Sequence, residues 1–82
     1  MKPVSFSKDA IRTLQRMPKP TAERIRANVQ AYAEDPRSQA NNVEPLKGED
    51  AIRLRAGDWR VIMRDDVVIA VVRIAPLGSA YG

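Results

Sequence analysis

Residues 51–76, AIRLRAGDWRVIMRDDVVIAVVRIAP, carry the alternation that decides the fold of this chain. Ile52, Leu54 and Ala56 alternate with Arg53 and Arg55, the period of two expected of a half-buried strand. Ala56-Gly57-Asp58 reads as a tight turn in which Gly57 is free to take a positive φ. From Trp59 to Arg64 the alternation resumes, with Trp59, Val61 and Met63 on one face and Arg60, Ile62 and Arg64 on the other. Asp65-Asp66 makes a second turn. Val67 to Ala75 is then almost continuously apolar apart from Arg73, the pattern of a central strand covered on both sides. The stretch is a three-stranded antiparallel meander. Its arginine-bearing face is either a solvated sheet surface or a cradle for phosphates.

Outward from the meander, the N-terminal side supplies helices. Val4 and Phe6 alternate within Pro3–Ser7 as a short first strand, with Pro3 suited to its start or to an edge. Ser7 is a good N-cap and Asp9 complements the helix dipole, so a helix runs from there to about Met17 on a stripe of Ala10, Ile11, Leu14 and Met17. Pro18-Lys19-Pro20 ends it. A second helix over roughly residues 20–34 has Ala22, Ile25, Val29, Tyr32 and Ala33 as its buried stripe, and Asp35-Pro36 stops it. Residues 36–50, PRSQANNVEPLKGED, read as a connecting loop anchored by Val43 and Leu46. The whole, residues 1–82, is one α+β domain: short strand, helical hairpin, then the meander with helices on one face. Strand alternation puts Arg53, Arg55, Arg60 and Arg64 on the face that the helices leave bare.

Composition narrows the chemistry. The chain of 82 residues has no histidine, which removes the commonest general base and the commonest metal ligand, and no cysteine, which removes thiolate chemistry. There is no phosphate-binding or dinucleotide-binding glycine motif, and a serine triad in its histidine form is impossible. Fourteen basic against ten acidic residues give a formal charge of +4, favouring an anionic partner, either nucleic acid or an acidic protein segment. Absence of cysteine, of a long apolar run and of a signal-peptide core leads to the expectation of a cytoplasmic protein. No cofactor or metal is implied.

Leu46-Lys47-Gly48, followed by Ile52-Arg53-Leu54-Arg55-Ala56-Gly57-Asp58-Trp59-Arg60-Val61-Ile62, resembles the motif of RelE/ParE-type toxins. In that family a leucine-lysine-glycine loop leads into an arginine-rich hairpin. The helical hairpin ending at Asp35-Pro36 and the closing segment Ile74–Tyr81 fit as well, so the likeness spans essentially the whole chain. The resemblance implies a toxin of a type II toxin–antitoxin pair, neutralised by an antitoxin whose acidic segment wraps it. One branch of the family cleaves messenger RNA on the ribosome without metal; the other poisons DNA gyrase. A third possibility is an inactive member that only binds its antitoxin.

On the ribonuclease branch, the resemblance assigns catalytic positions to Arg53, Arg60 and Tyr81, with Lys47, Arg55 and Arg73 as RNA contacts. Arginine suits such a site because it presents fixed bidentate donors to a phosphate and stays protonated. A near-terminal tyrosine such as Tyr81 can stack on a base or move a proton. For Arg73 the plain alternative is a charge at a strand edge, and for Lys47 and Arg55 solvated surface charge. One position departs from the pattern. Ribonuclease-like relatives carry arginine where this chain has Leu77, and leucine there removes a phosphate-binding cation. Natural divergence, a gyrase-directed or degenerate toxin, and an inactivating substitution each account for it.

Overall fold

The computed structural model describes residues 1–48 and 50–77. Their order is β1 (Val4–Phe6), α1 (Lys8–Arg16), α2 (Lys19–Glu34), a 3₁₀ segment (Pro36–Asn42), β2 (Val43–Pro45), β3 (Ile52–Ala56), β4 (Trp59–Asp65) and β5 (Ile69–Pro76). The expected meander β3–β4–β5 forms, and it sits inside a larger sheet of order β1-β5-β4-β3-β2. β1 lies parallel to β5, with Val4 beside Ile69 and Phe6 beside Val71, while every other neighbour is antiparallel. Two flanking strands were therefore added to the meander by tertiary pairing.

The β3–β4 connection is a two-residue loop, because Ala56 pairs directly with Trp59. Gly57 has φ +61 and Asp58 is not at positive φ, the pattern of a type II′ hairpin turn, whose twist matches that of the strands it joins. The segment read as a connecting loop, 36–50, is only partly one. Pro36–Asn42 is 3₁₀-helical, started by Asp35, whose side chain accepts from the Arg37 amide at 3.1 Å. Val43–Pro45 then pairs as an edge strand on β3. Three residues ending in proline are too short to announce a strand; β3 supplies the missing half of the ladder. Val43 packs against the core, whereas Leu46 is only half-buried and stays outside the core cluster.

The core lies between the helices and one sheet face. Ile25 and Val29 from α2 meet Leu54, Val61, Met63, Ile69 and Val71, all fully buried, and among the described residues no charged or polar one is buried with them. Ala10, Leu14 and Met17 bring α1 onto the same layer, but Ile11 is 38% exposed and does not belong to it. The last strand also starts later than expected: Val67 and Val68 are exposed in the β4–β5 turn rather than paired.

β5 carries one residue too many for its partner. Ile62 pairs with Arg73 and Met63 with Val71, so Val72 is left over as a bulge. The burial pattern changes accordingly, from Ile69 and Val71 inward to Ile74 inward. The carbonyl of the extra residue is taken by Ser7, whose hydroxyl donates to the Val72 oxygen at 2.8 Å. The same hydroxyl accepts from the Ala10 amide at 3.0 Å as the cap of α1, and the Ser7 amide donates to the Val71 oxygen at 2.9 Å. One serine thus ends β1, starts α1 and holds the bulge.

At the opposite pole, the Asp65 carboxylate accepts from the Tyr32 hydroxyl at 2.6 Å and from the Lys2 ammonium at 2.5 Å. This clamp ties the N-terminus and the end of α2 to the end of β4. Hydrogen bonds from Lys2 and then Tyr32 hold the Asp65 carboxyl below its ordinary 3.8. Burial, followed by the bond to Asp65, pushes the Tyr32 phenol up to about 12.

Two outcomes are expected. Ser7→Ala should cost about 1–2 kcal/mol in chemical denaturation, from the lost cap and the stranded Val72 carbonyl. For the clamp, a depressed carboxylate pKa means stability that is present above 3.8 and lost as pH falls through the lower folded value. Thermal melts of the natural chain and of Asp65→Asn should therefore differ at neutral pH and converge in acid. The Tyr32 contribution has the opposite sign, present below 10.0 and lost as pH rises towards about 12.

Candidate functional site

Residues directly opposite on neighbouring strands share a face, so the register maps the side of the sheet away from the helices. One row across it runs Glu44, Arg53, Ile62, Arg73. The next, towards the Gly57 turn, runs Arg55, Arg60, Ala75. Towards the other end lie Arg64, Ala70 and Ser5. Five arginines from three strands therefore occupy one face, interleaved with Ile62 and small residues. The bulge is what admits Arg73: without Val72 as an extra residue, strict alternation from Ile69 and Val71 would point it into the core.

The arginines are not equivalent. Arg53 makes an ion pair with Glu44, Nη2 to Oε1 at 2.6 Å, with the two side chains 29% and 65% exposed. A pair that wet is worth roughly 0–1 kcal/mol, so a phosphate, which accepts charge-assisted bonds from a guanidinium in the same bidentate way, can displace it. Arg55 and Arg60 lie directly opposite each other, and among the described residues neither forms an ion pair. Like charges in that position cost folding energy. Arg60 also has its Nε buried without a hydrogen-bond partner among the described residues. Two cations held side by side at a cost can share a divalent anion.

The other expected positions divide. Leu77 follows β5 at the same end, its amide donating to the Asp58 oxygen at 2.8 Å, so it adjoins the Arg55–Arg60 row with a half-buried apolar side chain. Lys47 is exposed in the β2–β3 turn beside Gly48, at the opposite end of β3 from that row. Arg73 lies where β5 has β4 as its only strand neighbour, since β1 stops opposite Val71; it is both a face residue and an edge residue. Tyr81 lies outside the described residues.

Glu44 was missed by reading 36–50 as a loop. Among the described residues it is the only acidic strand residue on the arginine face, and its cross-strand pairing with Arg53 reveals that. The faint signal available was Val43-Glu44-Pro45 itself, an apolar–polar step closed by a proline suited to an edge. Among the described residues no cluster of acidic side chains is arranged to hold a metal ion. No described helix is long and apolar enough to cross a membrane.

Comparison with known proteins agrees with this geometry. The family model described as the ParE toxin of the type II toxin–antitoxin system parDE matches residues 4–80. Among solved structures, the archaeal RelE–RelB complex from Pyrococcus horikoshii OT3 superposes with a TM-score of 0.79 at 28% identity, covering 94% of this chain and 96% of that one. The intact E. coli RelBE toxin–antitoxin complex gives 0.73 at 21% identity, covering 93% and 96%. The isolated E. coli RelE toxin gives 0.75 at 17%, covering 93% and 84%. The last two are similar in fold alone. No curated protein matches. With a family model spanning nearly its full length and the five-stranded RelE-like sheet behind it, the chain belongs to the ParE/RelE family of toxins of type II toxin–antitoxin systems.

Proposed function

We propose that this toxin is a metal-independent endoribonuclease that cleaves messenger RNA on the ribosome, with the bare sheet face as its active surface. The observation that carries the reading is the unpaired Arg55–Arg60 couple flanked by Arg53 and Arg73. Cleavage of RNA by its own 2′-hydroxyl places extra negative charge on the phosphorus-bound oxygens. Guanidinium groups already fixed on a sheet stabilise that charge without reorganising. Arg60 and Arg55 take the scissile phosphate, and Arg53 and Arg73 hold the phosphates on either side.

Arginine is a poor base, so proton transfer needs another group. Glu44 supplies it: once a phosphate engages Arg53, the carboxylate accepts the proton of the 2′-hydroxyl. The 2′-oxygen then forms a bond to phosphorus and the bond to the 5′-oxygen breaks, leaving a cyclic phosphate. In this scheme Tyr81 returns a proton to the departing 5′-oxygen. The antitoxin's acidic segment covers the same arginines; the relatives solved as toxin–antitoxin complexes support that partner.

Poisoning of DNA gyrase is the second reading. It is favoured by the ParE family model and by Leu77, which leaves the Arg55–Arg60 end one cation short of the ribonuclease pattern. Purified toxin on programmed ribosomes and in a gyrase supercoiling assay separates the two: cut message supports the first reading, and gyrase–DNA adducts with intact message support the second.

Under the ribonuclease reading, Arg60→Ala should lower the single-turnover cleavage rate roughly a hundredfold or more. Glu44→Gln should lower it by about 10²–10⁴. Leu77→Arg should deepen growth arrest when the toxin is expressed without antitoxin; unchanged arrest and translation would count against the nuclease.

A further inference from the structure

A cleft of about 510 Å³ opens beside the arginine face, where β1 has ended and α1 runs past the edge of β5. That volume is in the range of small-molecule sites. One wall is a stripe of α1 at i, i+4, i+7 spacing, Asp9, Thr13 and Arg16. The other walls include Trp59 and Met17, and Arg73 belongs both to the cleft and to the arginine face. Trp59 is half-buried and packs against the core, so its ring is held in place. The Thr13 hydroxyl is spent on the Asp9 backbone oxygen at 3.1 Å, whereas the Asp9 carboxylate and the Arg16 guanidinium have no side-chain partner among the described residues.

We infer that this cleft is a nucleobase subsite, taking a base splayed out of the RNA strand whose phosphates lie on the arginines. An indole ring and a thioether form a platform for a flat heterocycle. Arg16 and Arg73 are both in its lining and give it the positive charge that a base arriving attached to phosphate requires. The unpartnered carboxylate of Asp9 sets the preference. It accepts hydrogen bonds only, and guanine alone offers it two parallel N–H groups, from N1 and N2. Adenine, cytosine and uracil each present at most one donor group on that edge. The cleft thus favours guanine. An aromatic side chain of a protein partner would use the platform but leave Asp9 and both arginines unmatched.

The subsite rests on the ribonuclease reading for its biological role, but binding can be read apart from cleavage. Trp59 is the only tryptophan in the chain, so intrinsic fluorescence reports on the cleft directly. Titration of the full-length toxin with the four nucleoside 5′-monophosphates should give saturable quenching. Half-saturation for guanosine monophosphate should lie roughly tenfold below the others, the difference made by one charge-assisted hydrogen bond. Asp9→Asn should erase that preference while leaving quenching in place, and Arg16→Ala should weaken all four nucleotides. Inorganic phosphate alone should leave the fluorescence unchanged.

Absence of saturable quenching, or a guanine preference that survives Asp9→Asn, overturns the inference. A toxin that cuts message but fails to bind the nucleotide removes the subsite alone. One that binds it and leaves both message and ribosomes intact removes the nuclease alone.

Discussion

The arginine face depends on a register constraint: β5 must run one residue ahead of β4 before it reaches Arg73. A strand's side chains alternate strictly, so an arginine placed two and four residues after buried Val71 and Ile69 would be driven into the core. An unpaired guanidinium there would be far too costly to bury. The extra residue Val72 resolves the conflict by shifting the alternation, so that Ile74 goes inward and Arg73 outward. A bulge leaves backbone groups without ladder partners, and Ser7 takes the carbonyl concerned. The residue that caps α1 is therefore also the one that lets the fifth arginine reach the surface.

With that register set, the rest follows from covering one face of a sheet and not the other. α1 and α2 bury Leu54, Val61, Met63, Ile69 and Val71 and leave the opposite row of side chains in solvent. The Asp65 clamp fastens the far end of the hairpin, away from the Arg55–Arg60 row, so the two ends of the sheet serve different purposes. One is tied by a carboxylate that has all its partners. At the other, cations are held close together with few partners of their own among the described residues.

Within the cationic face, neutralisation is uneven in a useful way. Arg53 is screened by Glu44, whereas Arg55 and Arg60 have no ion pair among the described residues. Displacing an exposed ion pair costs little.

The sequence by itself determined the meander, the two helices and the side on which Arg53, Arg55, Arg60 and Arg64 lie. Strand alternation, the Gly57 turn, the Ser7 cap and the Asp35-Pro36 stop are all local signals, each complete within a few residues. The likeness to the toxin family was legible for the same reason, being carried by local runs: the Leu46-Lys47-Gly48 loop, the arginine-rich hairpin, the Asp35-Pro36 stop and the closing segment. Three features were decided only by tertiary structure: the pairing of β1 with β5, the strand made of Val43–Pro45, and the bulge at Val72. Each depends on a partner far away in the chain, and for Val72 that partner is a serine 65 residues earlier. Glu44 and the cleft beside Trp59 were hidden for the same physical reason. A ladder bond, a cross-strand ion pair and a groove between two elements have no counterpart in the order of residues until the chain has folded back on itself.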